Sequence, residues 1–210
     1  FPATTTAGKR MQAILGLLID WLGGALVTVP LALIFVFSFD RPRAKRRWFW
    51  MVLLTVYLSV LYVVIGVPDW RYLTWDPTVN LVPFQDFTPE NLRGMALNAA
   101  MFAPLGFLLP AYFDRYRSFV PTLDAGILTS LTVELIQLFT FRATDADDLI
   151  MNTLGVIVGF LLSKLILGHR PAVYRGKSDW AWLLGLNGMV ILVTVFVRYP
   201  LAETLQKMVR

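Results

Sequence analysis

The feature that most constrains this chain is a succession of apolar runs, each about as long as a lipid bilayer is thick. Six runs qualify or nearly qualify, at 13–39, 48–67, 92–113, 119–141, 149–167 and 180–197. A helix needs roughly 20 apolar residues to span the hydrocarbon core, and 57% of the residues are hydrophobic. The sequence therefore predicts an all-α membrane protein, a polytopic helical bundle of about six transmembrane helices.

The basic residues gather in short connections between these runs. The strongest cluster, at 41–47, and two further basic loops, at 115–117 and 170–177, fall two crossings apart. This spacing follows the positive-inside rule, so we expect these loops on the cytoplasmic side and loops 68–91 and 142–148 outside. The net charge of +5 is thus explained by topology. Membrane lipids are the predicted partners, and nucleic acid is not.

Three regions are predicted along the chain. Residues 1–47 hold an N-terminal segment with one additional transmembrane helix and a basic cytoplasmic loop, residues 48–167 a core of four transmembrane helices, and residues 168–210 a basic loop and a C-terminal transmembrane helix. The chain has no cysteine, and its single histidine, His169, lies in a basic loop. These facts argue against thiolate chemistry, a His-rich zinc site and a His-based catalytic triad.

The connection between the fourth and fifth runs is dense in ionisable and amide groups. A charged side chain inside the membrane costs roughly 2–3 kcal/mol or more unless it is paired or wetted, so such groups mark functional sites by default. Counting 100° per residue, Ser130, Glu134 and Gln137 share one helix face, and Asp148 and Asn152 share a face of the next helix. Each of these helices therefore carries a polar stripe near its outer end.

A third helix is predicted to carry a polar side chain at the same depth in the membrane. With a rise of 1.5 Å per residue, Glu134 lies about 10 Å and Asn152 about 6 Å beneath the outer ends of their helices, and Asn98 lies at a similar depth in the third run. Gly155 and Gly159 beside the stripe predict a close approach by a neighbouring helix. We therefore expect three helices to bring hydrogen-bonding groups together beneath the outer surface.

Plainer readings of the same residues stay open. The amides of Asn98, Gln137 and Asn152 could be hydrogen bonds between helices without any chemistry. Arg142 and the aspartates that follow it could be an exposed loop end, and Asp147 and Asp148 could instead cap the fifth helix, where carboxylates favour the positive end of the helix dipole.

The loop at 69–91 is rich in aromatic residues, which favour the membrane–water interface. We therefore expect it to form an ordered cover on the outer leaflet.

The polar positions also resemble a known family. The strings NLVPFQ at 80–85, NAAMFAPLGF at 98–107, ELIQ at 134–137, then Arg142, DDL at 147–149 and NTLG at 152–155 resemble the successive motifs of the VanZ-like family. The resemblance covers about residues 48–164. It implies a multi-pass protein of the bacterial cell membrane, linked in some members to teicoplanin resistance. It implies no established reaction.

Ten residues are predicted to form a ligand-binding site. They are Asn80, Gln85, Asn98, Glu134, Gln137, Arg142, Asp145, Asp147, Asp148 and Asn152. If the protein is an enzyme, the catalytic candidates are Glu134 and Asp148, which could act as general acid and base or hold a hard cation. No metal and no cofactor is assigned.

The first functional hypothesis is an accessory resistance factor that binds an envelope amphiphile at an outward-facing polar site. The amphiphile could be an anionic lipid, a lipid-linked cell-wall precursor or a lipoglycopeptide, with Arg142 contacting a phosphate or carboxylate. The alternative is a membrane enzyme acting on a lipid-linked or phosphorylated envelope substrate. A transporter and a scaffold for partner membrane proteins are further possibilities.

Overall fold

Helices account for most of the chain. The computed structural model describes residues 6–39, 45–75, 78–85, 88–139, 144–168, 170–174 and 179–209. Within these ranges lie seven α-helices, which are α1 (Thr6–Phe39), α2 (Lys45–Ile65), α3 (Pro89–Tyr112), α4 (Phe119–Gln137), α5 (Ala146–Leu167), α6 (Asp179–Phe196) and α7 (Arg198–Val209). The predicted all-α membrane bundle is confirmed.

Five stretches, which contain α2 to α6, are long and apolar enough to cross a membrane. The run at 13–39 also forms a helix, α1, but within its described residues only the shorter piece Trp21–Leu31 is apolar in this sense. The sixth crossing therefore stays a prediction. Helix α7 was not predicted, because its alternating polar and apolar residues give no apolar run of membrane length.

The described parts of the three predicted cytoplasmic loops, at 45–47, 115–117 and 170–174, lie at one end of the bundle, which we call the basic end. Arg46, at the start of α2, donates to the carbonyl of Pro171 at 2.9 Å, and Arg117 donates to the carbonyl of Gly168 at 2.8 Å. The two contacts join α2 and the α3–α4 turn to the α5–α6 loop. The expectation that these loops share one side of the protein is thus confirmed, and the cytoplasmic placement of that side stays a prediction.

The core lies where α2, α3 and α6 meet. Leu54 and Leu58 of α2, Leu105 and Leu109 of α3 and Leu186 of α6 are all at most 1% exposed. Helix α2 also packs against α1, while α3 packs against α4 and α5. The apolar contact between α2 and α3 therefore holds α3 in the core, and α4 and α5, which carry most of the polar groups, pack against α3.

Glycine determines how closely α3 and α5 approach each other. A Cβ atom added to Gly155 or Gly159 would overlap the backbone carbonyl of Ala99 or Ala103, and one added to Gly106 would overlap that of Val156. The close approach predicted for Gly155 and Gly159 is confirmed, and its partner is α3. Gly155 faces Ala99 and Gly159 faces Ala103, so the contacts follow the same order along both helices. The two helices therefore run parallel.

The opposite end of the bundle, which we call the acidic end, contains two very short paired strands. Strand β1 (Val79–Asn80) pairs in parallel with β2 (Thr144–Asp145), so that Asn80 stands beside Asp145. Thr74 donates its backbone N–H to the carbonyl of Phe139 at 3.2 Å, and the Trp75 and Phe139 rings lie 5.1 Å apart. The loop after α2 is thus ordered against the ends of α4 and α5.

Two helix boundaries differ from the expected ones for local reasons. Helix α3 begins at Pro89 rather than 92, because the Thr88 hydroxyl caps the backbone N–H of Asn91 and proline is well suited to a first helical turn. Helix α5 begins at Ala146 rather than 149, because the carboxylate of Asp145 accepts the backbone N–H of Asp147. The observed cap is therefore Asp145, and Asp147 lies in the first turn.

Helix α7 is fastened to the acidic end by charged side chains. Arg198 is 2% exposed and donates to the carbonyl of Val67 at 3.1 Å, and its guanidinium lies 4.1 Å from the centre of the Tyr199 ring. Arg71 bridges Asp69 and Glu203, the latter at 3.2 Å. These contacts hold α7 against the loop that leaves α2.

Candidate functional site

A cavity of about 610 Å³ opens at the acidic end, between the ends of α2, α3, α4 and α5. Nine of the ten residues predicted to bind a ligand line it. They are Asn80, Gln85, Asn98, Glu134, Gln137, Asp145, Asp147, Asp148 and Asn152. The tenth, Arg142, lies outside the described residues. The predicted convergence is therefore observed for every described member, while ligand binding by these residues stays a prediction.

Helices α4 and α5 face each other through polar side chains on the cavity wall. Asn152 is 3% exposed, and its Nδ2 donates to the Oγ of Ser130 at 2.9 Å. This bond uses the amide nitrogen of Asn152. The Oδ1 of Asn152 accepts no hydrogen bond from the described residues, which leaves a buried acceptor at the cavity.

Helices α3 and α5 meet on another wall. The Nδ2 of Asn98 donates to the Oδ1 of Asp148 at 2.5 Å. The bond lies just beyond the contact of Gly155 with Ala99, and the close helix approach brings the two side chains within reach. Asn98 and Asn152 thus form the inter-helix hydrogen bonds of the plainer reading, and they also line the cavity.

The loop that follows β1 contributes to the cavity wall through Asn80 and Gln85. Asp147 of α5 accepts the backbone N–H of Phe84 through Oδ1 at 2.8 Å, and the Nδ2 of Asn80 lies 3.4 Å from Oδ2 of Asp145. Phe84 has φ of 59°, a left-handed conformation that is unfavourable for a bulky residue. The hydrogen bond to Asp147 thus connects this strained turn to a carboxylate of the cavity.

The electrostatic character of the cavity is acidic. Glu134 and Gln137 of α4 are 5% and 6% exposed, and the negative charges of Asp145 and Asp148 both act on Glu134. Among the described residues, no group of three or more His, Cys, Asp or Glu side chains is placed to hold a metal ion. The catalytic candidates, Glu134 and Asp148, lie in one cavity, and their chemical role stays a prediction.

Several lining residues were missed by sequence reasoning. Glu90 and Asn91 line the cavity from the first turn of α3, and Val64 and Leu97 line it from α2 and α3. The helix start at Thr88 was the available signal for the first pair, because it places Glu90 at the same end as the fifth-helix aspartates. Val64 and Leu97 carried no signal, since apolar residues are expected throughout spanning helices.

Comparisons with known proteins agree with this core. The VanZ/LLP1 family model matches residues 50–167, more than half of the chain. Protein VanZ of Enterococcus faecium is 33% identical over 121 residues, which cover 57% of this chain and 68% of that protein. No solved structure matches the chain significantly. The matched segment contains α3, α4 and α5 together with the nine predicted residues that line the cavity, and the chain belongs to the VanZ/LLP1 family.

Proposed function

We propose that this protein binds the polar part of a cell-envelope amphiphile in the acidic-end cavity and thereby contributes to resistance against teicoplanin-type lipoglycopeptides. The observation that carries the proposal is the convergence of nine separated polar residues around one cavity. Polar groups at membrane depth are costly to bury and are retained where they serve a ligand or a pathway. The resistance part of the proposal rests on the family and on the name of the similar protein.

The size of the cavity supports binding of a head group. A volume of about 610 Å³ lies within the range of roughly 300–1,000 Å³ that is typical of small-molecule sites. The cavity is therefore large enough for the polar head of a lipid or for one or two sugar units, and too small for a whole lipid-bearing glycopeptide. We propose that the acidic end faces outward, where such molecules reach the outer leaflet.

The border of the cavity supports an amphiphile over a soluble ligand. Val64 of α2 and Leu97 of α3 line the cavity and are also 47% and 54% exposed. Both belong to stretches able to span a membrane, so their exposed surface faces lipid. A ligand can therefore place its head among the polar groups and leave its chain in the bilayer.

The test is the teicoplanin susceptibility of bacteria that express the protein, with vancomycin as the comparison drug and membrane levels matched. We expect the native chain to protect against teicoplanin and Glu134→Gln to lose most of that protection. Glu203→Gln is the matched control, because Glu203 is an exposed carboxylate of the same end that pairs with Arg71 and does not line the cavity. Equal protection by the native chain and Glu134→Gln would show that Glu134 has a structural role and that its charge is not needed for resistance.

The enzyme alternative stays a prediction with the same residues. Turnover of a labelled lipid-linked precursor by the purified protein, abolished by Glu134→Gln and by Asp148→Asn, would favour it.

A further inference from the structure

The charge of the cavity lining is unusual for a site that would receive an anionic head group. Five carboxylates line it, and the described lining residues include no Lys, Arg or His; the five are Glu90, Glu134, Asp145, Asp147 and Asp148. If Arg142 also reached the cavity, the carboxylates would still outnumber it five to one. The groups that hold Asp145 and Asp147 are neutral, namely backbone N–H groups and the amide of Asn80, so these contacts orient the carboxylates without cancelling their charge.

A second and independent feature is a buried hydrogen-bond acceptor for which the described residues supply no donor. Asn152 is 3% exposed, its amide nitrogen is occupied by Ser130, and its Oδ1 accepts nothing from the described residues. A buried acceptor without a donor is costly because it has lost water and gained no partner. In this orientation the oxygen is a buried acceptor of a residue that lines the cavity. A ligand that brings N–H groups would satisfy it, whereas a phosphate or carboxylate would not.

Building on the proposed function, we infer that the head group bound in this cavity carries a protonated amine. An ammonium group has three N–H donors and a positive charge and accepts no hydrogen bond, which complements a lining of carboxylates and one orphaned amide oxygen. The pairing of opposite charges compensates for removing the ammonium from water, as a buried ion requires. The chain of the ligand leaves past Val64 and Leu97, at the membrane-facing border of the cavity.

The test compares three probes that share one chain and differ in the head group. The full chain in dodecyl maltoside micelles is titrated with octadecylamine, octadecanol or octadecyl phosphate, each spin-labelled on the chain, and binding is read from the motionally restricted fraction of the electron paramagnetic resonance spectrum. We expect the amine to bind at least tenfold more tightly than either of the others. Propylamine is added from water as a competitor, to test whether a soluble amine is sufficient for binding. If propylamine displaced octadecylamine at a concentration similar to that of octadecylamine itself, the site would bind free amines, and the inference of an amphiphilic ligand would be overturned.

The variants assign the binding to the cavity. Glu134→Gln and Asn152→Leu should each weaken octadecylamine binding about tenfold, while Glu203→Gln should bind like the native chain. The comparison of the three probes uses the native chain alone, so it does not depend on the folding of any variant.

The remaining outcomes separate the two proposals. Preference for octadecyl phosphate, lost in Glu134→Gln, would overturn the amine inference and leave the amphiphile-binding function standing. Equal binding of all three probes would likewise overturn the amine inference. If none of the probes bound, the amine inference would be overturned, and the teicoplanin comparison of the native chain with Glu134→Gln would still decide the proposed function.

Discussion

The contact between α3 and α5 predicts a specific cost for a single added methyl group. In Gly159→Ala, the new Cβ would lie 2.8 Å from the carbonyl carbon of Ala103 and 2.9 Å from the backbone nitrogen of Phe107. Both neighbours are backbone atoms of a helix, so neither can rotate away as a side-chain tip would. Since heavy atoms of this kind prefer separations of about 3.5–4.0 Å, the two helices must move apart locally by about 1 Å.

The size of the effect follows from the dispersion energy lost in that movement. A gap of about 1 Å forfeits up to about half of each contact energy, and a contact pair is worth about 0.1–0.2 kcal/mol. If about 50 atom pairs lie across the affected part of the interface, comparable to the contacts of one buried leucine, the loss is about 2.5–5 kcal/mol. Alanine recovers about 1 kcal/mol through its higher helix propensity, so we expect a net destabilisation of about 1.5–4 kcal/mol.

The measurement is unfolding in dodecyl maltoside micelles by added sodium dodecyl sulfate, followed by circular dichroism. Gly188→Ala is the matched control, because a Cβ on this α6 glycine meets no atom within 4 Å, and it should be unchanged or slightly stabilised. Gly155→Ala, which meets the carbonyl of Ala99, should behave like Gly159→Ala. If Gly159→Ala and Gly188→Ala had equal unfolding midpoints, close backbone contact would not be what holds α3 on α5.

Two further predictions concern the acidic end. Asp147→Ala removes the acceptor of the Phe84 N–H, a charge-assisted bond worth about 1.5–3 kcal/mol, so hydrogen exchange at the Phe84 amide should accelerate at least tenfold by mass spectrometry; an unchanged rate would show that the loop is held by other contacts. Arg198→Leu removes the buried hydrogen bond from α7 to the carbonyl of Val67, just after α2. Limited proteolysis within 198–209 should therefore become several-fold faster. The control is Lys207→Leu, a substitution at an exposed position, which should be cleaved at the same rate as the native chain.

Much of the candidate site could be predicted because polar groups in a membrane have few ways to be satisfied. The face shared by Ser130, Glu134 and Gln137 follows from helix periodicity alone, and all three are buried. Asn98 and Asn152 both line the cavity, as expected from counting depth with the fixed rise per residue of a helix. Depth and face together were sufficient to place the polar groups of three helices around one cavity.

The parts that could not be predicted depend on contacts between distant pieces of chain. The pairing of β1 with β2 involves two residues on each side, too few to form a recognisable strand pattern. That α3 is the helix packed against Gly155 and Gly159 cannot be inferred from the glycines, which show only that some helix comes close. Helix α7 depends on Arg198 finding the carbonyl of Val67, a tertiary contact without a local signal.

The parallel pairing of α3 with α5 also determines the order in which the cavity can be built. Asn80 and Asp145 are 65 residues apart, and the whole of α3 and α4 lies between them. Because a nascent chain emerges with its N-terminal part first, Asn98 enters the membrane before its partner Asp148 has been synthesised. A nascent chain halted after α4 would already hold most of its core leucines, yet it would lack one wall of the cavity. Completion of the cavity thus coincides with the insertion of α5, so the chain acquires its proposed binding activity only at a late step of its biogenesis.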